Sequence, residues 1–173
     1  SNVVALFNKG AAVESLKDKD EGAVVLTISP FYAESGGQIG DSGIIEFDSG
    51  SFIVQDTQKH DKAIIHYGLV KDGNISVGND VKAKIDIERR RAIMLNHSAT
   101  HLLHASLKNV LGEHVIQKGS YVGHDRLRFD FSHEKNVSQK ELNEIENMVN
   151  TEIRNNNPAE TKLMGYEEAV SSG

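Results

Sequence analysis

Val81–Gly112 reads VKAKIDIERRRAIMLNHSATHLLHASLKNVLG. The period of its apolar residues changes partway along. Val81, Ala83, Ile85 and Ile87 alternate with charged residues, the two-residue repeat of a strand with one buried face. From Glu88 the repeat lengthens, and Ala99, Leu103, Leu107, Val110 and Leu111 fall on the stripe of an amphipathic helix that Gly112 stops. The switch predicts a boundary between a β-rich part over 1–87 and a helical part over 88–173.

Upstream of the switch, "VVALF", "AVVLTIS", "GIIEF", "SFIVQDT" and "AIIHYGLV" are further strand-length runs, separated by Gly, Asn and Asp. Even spacing of short strands predicts a small β-barrel or a strongly curled sheet. Downstream, "VIQKGSYV" and "RLRFDFS" predict a hairpin with Leu127, Phe129 and Phe131 on one side and Arg126, Arg128 and Asp130 on the other. Ser138 and Glu141 form the capping box of a helix with Leu142, Ile145, Met148, Val149 and Ile153 on one stripe, ended by "NNNP". "AETKLMG" reads as one more strand and "YEEAVSSG" as the start of a helix. The expected class is α+β: a small β-barrel subdomain, then a two-layer α/β sandwich with an antiparallel sheet. Both ends read as cut from a longer protein.

Composition excludes several classes. Cysteine is absent, so there is no disulfide framework and no thiolate for a metal, which suits a cytoplasmic protein. No apolar run approaches the ~18–20 residues of a membrane span. The net charge of −6 is uneven: residues 1–86 carry 8 basic and 13 acidic side chains, 87–128 carry 7 and 3, and 133–173 carry 4 and 8. The central basic segment suits a phosphate-bearing partner, or is a solvated face.

That segment holds "NHSATHLLH", with His97, His101 and His104. His97 and His101 are i and i+4 and share a helix face, the geometry by which two imidazoles grip one zinc ion. The same spacing also suits a polar face bonded to water. Zinc takes at least three protein ligands, so the pair alone is incomplete. "ESGGQIGDSG" (Glu34–Gly43) has paired Gly36 and Gly37, which permit positive φ and close approach of backbone to a ligand. It lacks the Gly-Lys-Ser/Thr of a P-loop and is either a site or a long connection.

In combination, "FYAESGGQIGDSG" (Phe31–Gly43), "NHSATHLLH", "QKGS" and "RFDFSH" resemble the editing domain of alanyl-tRNA synthetases, over nearly the whole chain. Free-standing alanyl-tRNA editing proteins and the editing domain of threonyl-tRNA synthetases share parts of this pattern; "VVALF" and "RLRFDFSH" look more like a full bacterial synthetase. The resemblance implies a domain that hydrolyses the ester of tRNA(Ala) mischarged with serine or glycine, within an enzyme that ligates alanine to its tRNA with ATP. It implies zinc held by His97 and His101 and by a downstream C-x-x-x-H motif lying beyond Gly173. His104 then takes no ligand role and lies behind the ligands or in the core. Gln117 and Thr100 match the positions beside the aminoacyl group, and Gly36, Gly37 and Gln38 the motif bordering the same pocket. Asp41 reads as a loop-ordering Asx turn rather than a catalyst. Lys118, Arg126, Arg128 and the run Arg89–Arg91 are candidates for phosphate contacts to the tRNA acceptor end; no DNA or membrane partner is implied. A free-standing deacylase and a non-catalytic tRNA-binding module are the rival readings.

Overall fold

The computed structural model describes residues 1–158 and 162–172. Nine strands precede the first long helix: β1 (Val3–Asn8), β2 (Ala11–Val13), β3 (Ser15–Lys17), β4 (Glu21–Leu26), β5 (Gly43–Phe47), β6 (Gly50–His60), β7 (Ala63–Asp72), β8 (Asn74–Ser76) and β9 (Lys82–Ile85). Seven form one antiparallel sheet in the order β2-β1-β4-β7-β6-β5-β9, and β3 pairs with β8 beneath it. Five of the expected runs recur as β1, β4, β5, β6 and β7, and the sixth as β9.

The sheet curls without closing into a barrel. Bulges between Ser51 and Phe52 and between Val54 and Asp56 bend the long β6–β7 hairpin. The curl brings Asp80 to Asn2, where one isolated bridge forms. Val81 N–H donates to Ser1 O at 2.7 Å and Val3 N–H to Asn79 O at 3.0 Å. Further along β1, the edge that would continue this seam already pairs with β2 through Leu6, Phe7 and Asn8. One strand edge cannot serve two partners, so β2 prevents closure. Inside the curl lie Leu6, Leu16, Val24, Ile45, Phe52, Val54, Val70 and Ile75, all buried.

The second layer follows without a pause. The helix α1 (Ile87–Leu111) is capped by Asp86, whose carboxylate accepts from Arg89 N–H, and ends at Gly112, where φ is 116°. A hairpin of β10 (Gln117–Val122) and β11 (Leu127–Phe131) comes next, then α2 (Gln139–Asn155) and α3 (Tyr166–Ser172). Leu107, Val115 and Ile145 form a second core, with Leu103, Val110, Leu111, Phe129, Phe131 and Val149 packed on it. The capping box on α2 is complete: Ser138 Oγ accepts from Glu141 N–H, and Glu141 accepts from Ser138 N–H at 2.7 Å. Leu142 and Ile153, expected on the buried stripe, are about half exposed, whereas Ile145 at the middle of the stripe is buried where α2 packs on α1. Of the strand expected at "AETKLMG", Ala159–Thr161 lie outside the described residues, and Lys162–Gly165 are not in a strand. Among the described residues, no helix is long and apolar enough to cross a membrane.

One polar group sits deep in the curled sheet. His66 is fully buried. Its Nδ1–H donates to Val24 O at 2.8 Å, so its Nε2 accepts from Ser29 Oγ at 2.7 Å. The ring of Phe31 meets it edge-on at 5.0 Å. Burial holds the imidazole pKa below its ordinary value, against the opposing pull of the Val24 carbonyl. The folded chain therefore keeps His66 neutral, whereas the unfolded chain takes up a proton near pH ~6.5. The stabilisation is whole above that pH and is lost as pH falls below it, at up to about 1.4 kcal/mol per pH unit. Urea unfolding between pH 7.5 and 5.5 is expected to give a steeper loss of stability for the wild type than for His66→Gln; equal slopes would show that His66 does not couple folding to protons.

Candidate functional site

The connection Thr27–Ser42 leaves the sheet after β4 and returns at β5, and α1 holds it down. Asp86 N–H donates to Ser42 O at 2.8 Å. Arg89 donates through Nη1 to Gly40 O at 2.8 Å. Arg90 donates through Nε to both carboxylate oxygens of Asp41, at 2.8 and 2.9 Å. Its Nη2 also reaches Asp41 Oδ2, and it donates to Pro30 O at 3.2 Å. Asp41 is 1% exposed and accepts from Tyr32 N–H as well, at 2.7 Å. The pairing with Asp41 raises the Arg90 pKa further above its already high value. Asp41 thus orders the loop, through Arg90 and Tyr32 rather than through the expected Asx turn. Arg90, expected on a tRNA phosphate, is committed to this carboxylate, and Arg89 is partly committed to the loop. Of the run, Arg91 remains exposed.

At the tip of the loop, Ser35 and Gln38 close a turn through reciprocal backbone bonds of 3.1 and 3.0 Å. Gly36 and Gly37 occupy its corner at φ 61° and 84°, the left-handed region that two-residue hairpin turns demand. Gly37 has a second reason to be glycine: an added Cβ would collide with Ser120 Oγ and Ser120 O. The turn is wedged against β10, with Val122 N–H donating to Gly37 O at 2.8 Å and Ile39 N–H to Val122 O at 3.1 Å.

This wedge delivers Gln38, which is 7% exposed, to α1. Its Oε1 lies 2.7 Å from His97 Nδ1. The rings of His97 and His101 have centroids 5.1 Å apart and are tilted by 35°. Two imidazoles sharing one tetrahedral zinc, at about 2.0–2.1 Å per bond, have centroids separated by about 5 Å. An amide oxygen only accepts, so His97 Nδ1 carries the proton and Nε2 keeps its lone pair for a ligand. The donor set therefore fits half a zinc site. No group of three His, Cys, Asp or Glu side chains arranged to hold a metal occurs among the described residues.

The remaining expected site residues divide. Thr100 is buried, and its hydroxyl donates back to Asn96 O at 2.8 Å, which leaves its oxygen lone pairs as acceptors. Asn96 in turn donates to Gly123 O at 2.9 Å, joining α1 to the hairpin turn. Gln117 donates to Ser120 Oγ at 3.2 Å, beside the glycine turn. The polar side chains of Gln38, His97, Gln117 and Ser120 thus gather around one junction of loop, helix and hairpin. Lys118, Arg126 and Arg128 are exposed along the hairpin. Arg126 pairs with Asp125 at 3.4 Å and lies 5.5 Å over the Tyr121 ring; Arg128 pairs with Asp130 at 3.1 Å. His104 packs on Phe129 at 5.0 Å, with Nε2 buried and unpartnered among the described residues. Sequence reasoning did not single out Ser120 or Asn96, although both stand within the motifs "QKGS" and "NHSATHLLH". A separate open groove of about 930 Å³ on the sheet, lined by Phe7, Lys19, His60 and Tyr67 among others, contains none of these residues.

Removing Arg90 would strand a buried carboxylate. Arg90→Ala is expected to cost about 3 kcal/mol in chemical unfolding, and Arg91→Ala no more than about 0.5 kcal/mol. If Arg90→Ala left stability unchanged and weakened only RNA binding, the phosphate role would be the right one.

The sequence model of the family described as tRNA synthetases class II (A) matches residues 1–89, just over half of the 173 residues. The match spans the curled sheet, the glycine turn and the first residues of α1, and stops before His97. Members of that family are aminoacyl-tRNA synthetases, ligases of protein biosynthesis whose macromolecular partner is tRNA. The chain belongs to the class II (A) tRNA synthetase family.

Proposed function

We propose that residues 1–173 form an editing domain that hydrolyses the ester of tRNA(Ala) mischarged with serine or glycine. The observation that carries this reading is the meeting of His97 with Gln38, which joins the glycine turn to the histidine pair. In this reading residues 1–87 support the site and residues 88–173 carry it. Zinc would be held by His97 and His101 with two further donors, as from a downstream C-x-x-x-H motif; the described residues add no third ligand to the pair. When bound, it would polarise the ester carbonyl, lower the pKa of a water or hold the substrate's amino group.

The chain's own residues would do the rest. Hydrolysis joins a water oxygen to the carbonyl carbon and releases the ribose oxygen with a proton. Gln117 has an amide that can both donate and accept, suited to orienting that water or the aminoacyl group. Thr100 and Ser120 present hydroxyl oxygens. Such polar lining has a physical reason: a site that hydrogen-bonds the serine hydroxyl rejects alanine, because its buried polar groups would be left unpaired. A synthetic pocket sized for alanine cannot make the reverse discrimination as strongly. Lys118, Arg126 and Arg128 are suited to screening the phosphates of the acceptor end.

The test uses a protein carrying residues 1–173 together with a C-x-x-x-H motif. Deacylation of seryl-tRNA(Ala) is expected, with alanyl-tRNA(Ala) spared. His97→Ala is expected to lower the rate at least about 100-fold, as removal of a metal ligand from a hydrolytic site should. Deacylation unchanged by His97→Ala, with tRNA still bound, would favour the non-catalytic binding module.

A further inference from the structure

We infer that Gln38 is a positioning residue that sets the tautomer of His97 and so prepares Nε2 to bind a metal. The inference rests on the editing reading for its purpose, but its physical content concerns only this chain. His97 Nδ1 stands 2.7 Å from Gln38 Oε1, across 59 residues of sequence. A neutral imidazole carries one N–H, and the hydrogen bond at one nitrogen decides which nitrogen keeps the lone pair. Ligating histidines ordinarily donate their other N–H to a carboxylate, carbonyl or water in this way. Here the acceptor is a side-chain amide, brought in from the other layer.

Gln38 is built to hold still. Its backbone N–H and C=O both pair with Ser35, and its neighbours Gly37 and Ile39 both pair with Val122. Its side chain is nearly buried. None of those backbone bonds involves the amide group, so replacing the side chain removes the contact to His97 without dismantling the turn. Gly37 contributes by absence: only a residue lacking Cβ lets the turn approach Ser120 closely enough to bring Gln38 to the helix.

The experiment compares wild type, Gln38→Leu and Gln38→Glu in the 173-residue chain. Long-range ¹⁵N–¹H NMR at pH 8 reads the His97 tautomer directly, without metal. The wild type is expected to show His97 protonated at Nδ1. Gln38→Leu is expected to lose that preference, and Gln38→Glu, which still accepts, to keep it. Zinc affinity of the longer protein that carries the C-x-x-x-H motif, from competition with a chromogenic chelator, is expected to fall 10–100-fold in Gln38→Leu and to stay within about threefold in Gln38→Glu. Thermal unfolding of each variant separates loss of fold from loss of contact. A His97 ring protonated at Nε2 in the wild type, or a tautomer indifferent to Gln38→Leu in a folded chain, overturns the inference. If the tautomer follows Gln38 while deacylation is absent from the longer protein, the inference stands and the editing reading falls.

Discussion

Asp41 is a carboxylate with almost no access to water, and a buried charge is stable only when paired and hydrogen-bonded. Arg90 supplies both, meeting the two oxygens side by side. The pair sits where the long connection from the sheet crosses the first turns of α1. Arg89, Asp86 and Tyr32 add bonds around it, so the connection has one seat on the helix. The glycine turn is placed by that seat. So is Gln38, and through Gln38 the ring of His97. The two cores, one inside the curled sheet and one between α1, α2 and the hairpin, each pack with their own apolar side chains; the polar junction fixes how the loop of the first meets the helix of the second.

The junction also explains why the chain spends glycines where it does. Gly36 and Gly37 both need positive φ, but only Gly37 is pressed against another strand. Gly36 faces open space. Conformational freedom is the need at the first position, and close approach is added at the second. The outcome is a rigid acceptor presented to an imidazole from a segment with no regular secondary structure of its own.

Much of the fold was legible from local pattern. The capping box at Ser138 and Glu141, the helix ending at Gly112 and the alternation across Leu127–Phe131 all depend on neighbours within a few residues. What was not legible depends on partners far away. Whether the sheet closes turns on β2, three residues too short to show a period, occupying the edge of β1. Leu142 and Ile153 fall on a proper helical stripe, yet periodicity cannot say how much of that stripe its packing partner α1 covers. The arginine run reads equally as a solvated face or a phosphate site until Asp41 is found 49 residues earlier. The site divides in the same way. The i, i+4 spacing of His97 and His101 predicts two rings on one face. The Gln38 contact to His97 exists only in space, and the back-bonding of Thr100 to Asn96 emerges only once the helix is built.

The helix α1 is a single rod of 25 residues, about 37 Å long, with no proline to hinge it. Its first turn is clamped at Asp41, and about 10 Å further along the axis stands His97. Such a rod behaves as a lever with its pivot at the clamp. A tilt of a few degrees there would carry the imidazole by nearly an ångström, a displacement on the scale at which catalytic geometry fails. Whatever displaces the elements packed along the far half of this rod, α2 and the hairpin, therefore has mechanical access to the histidines without touching them.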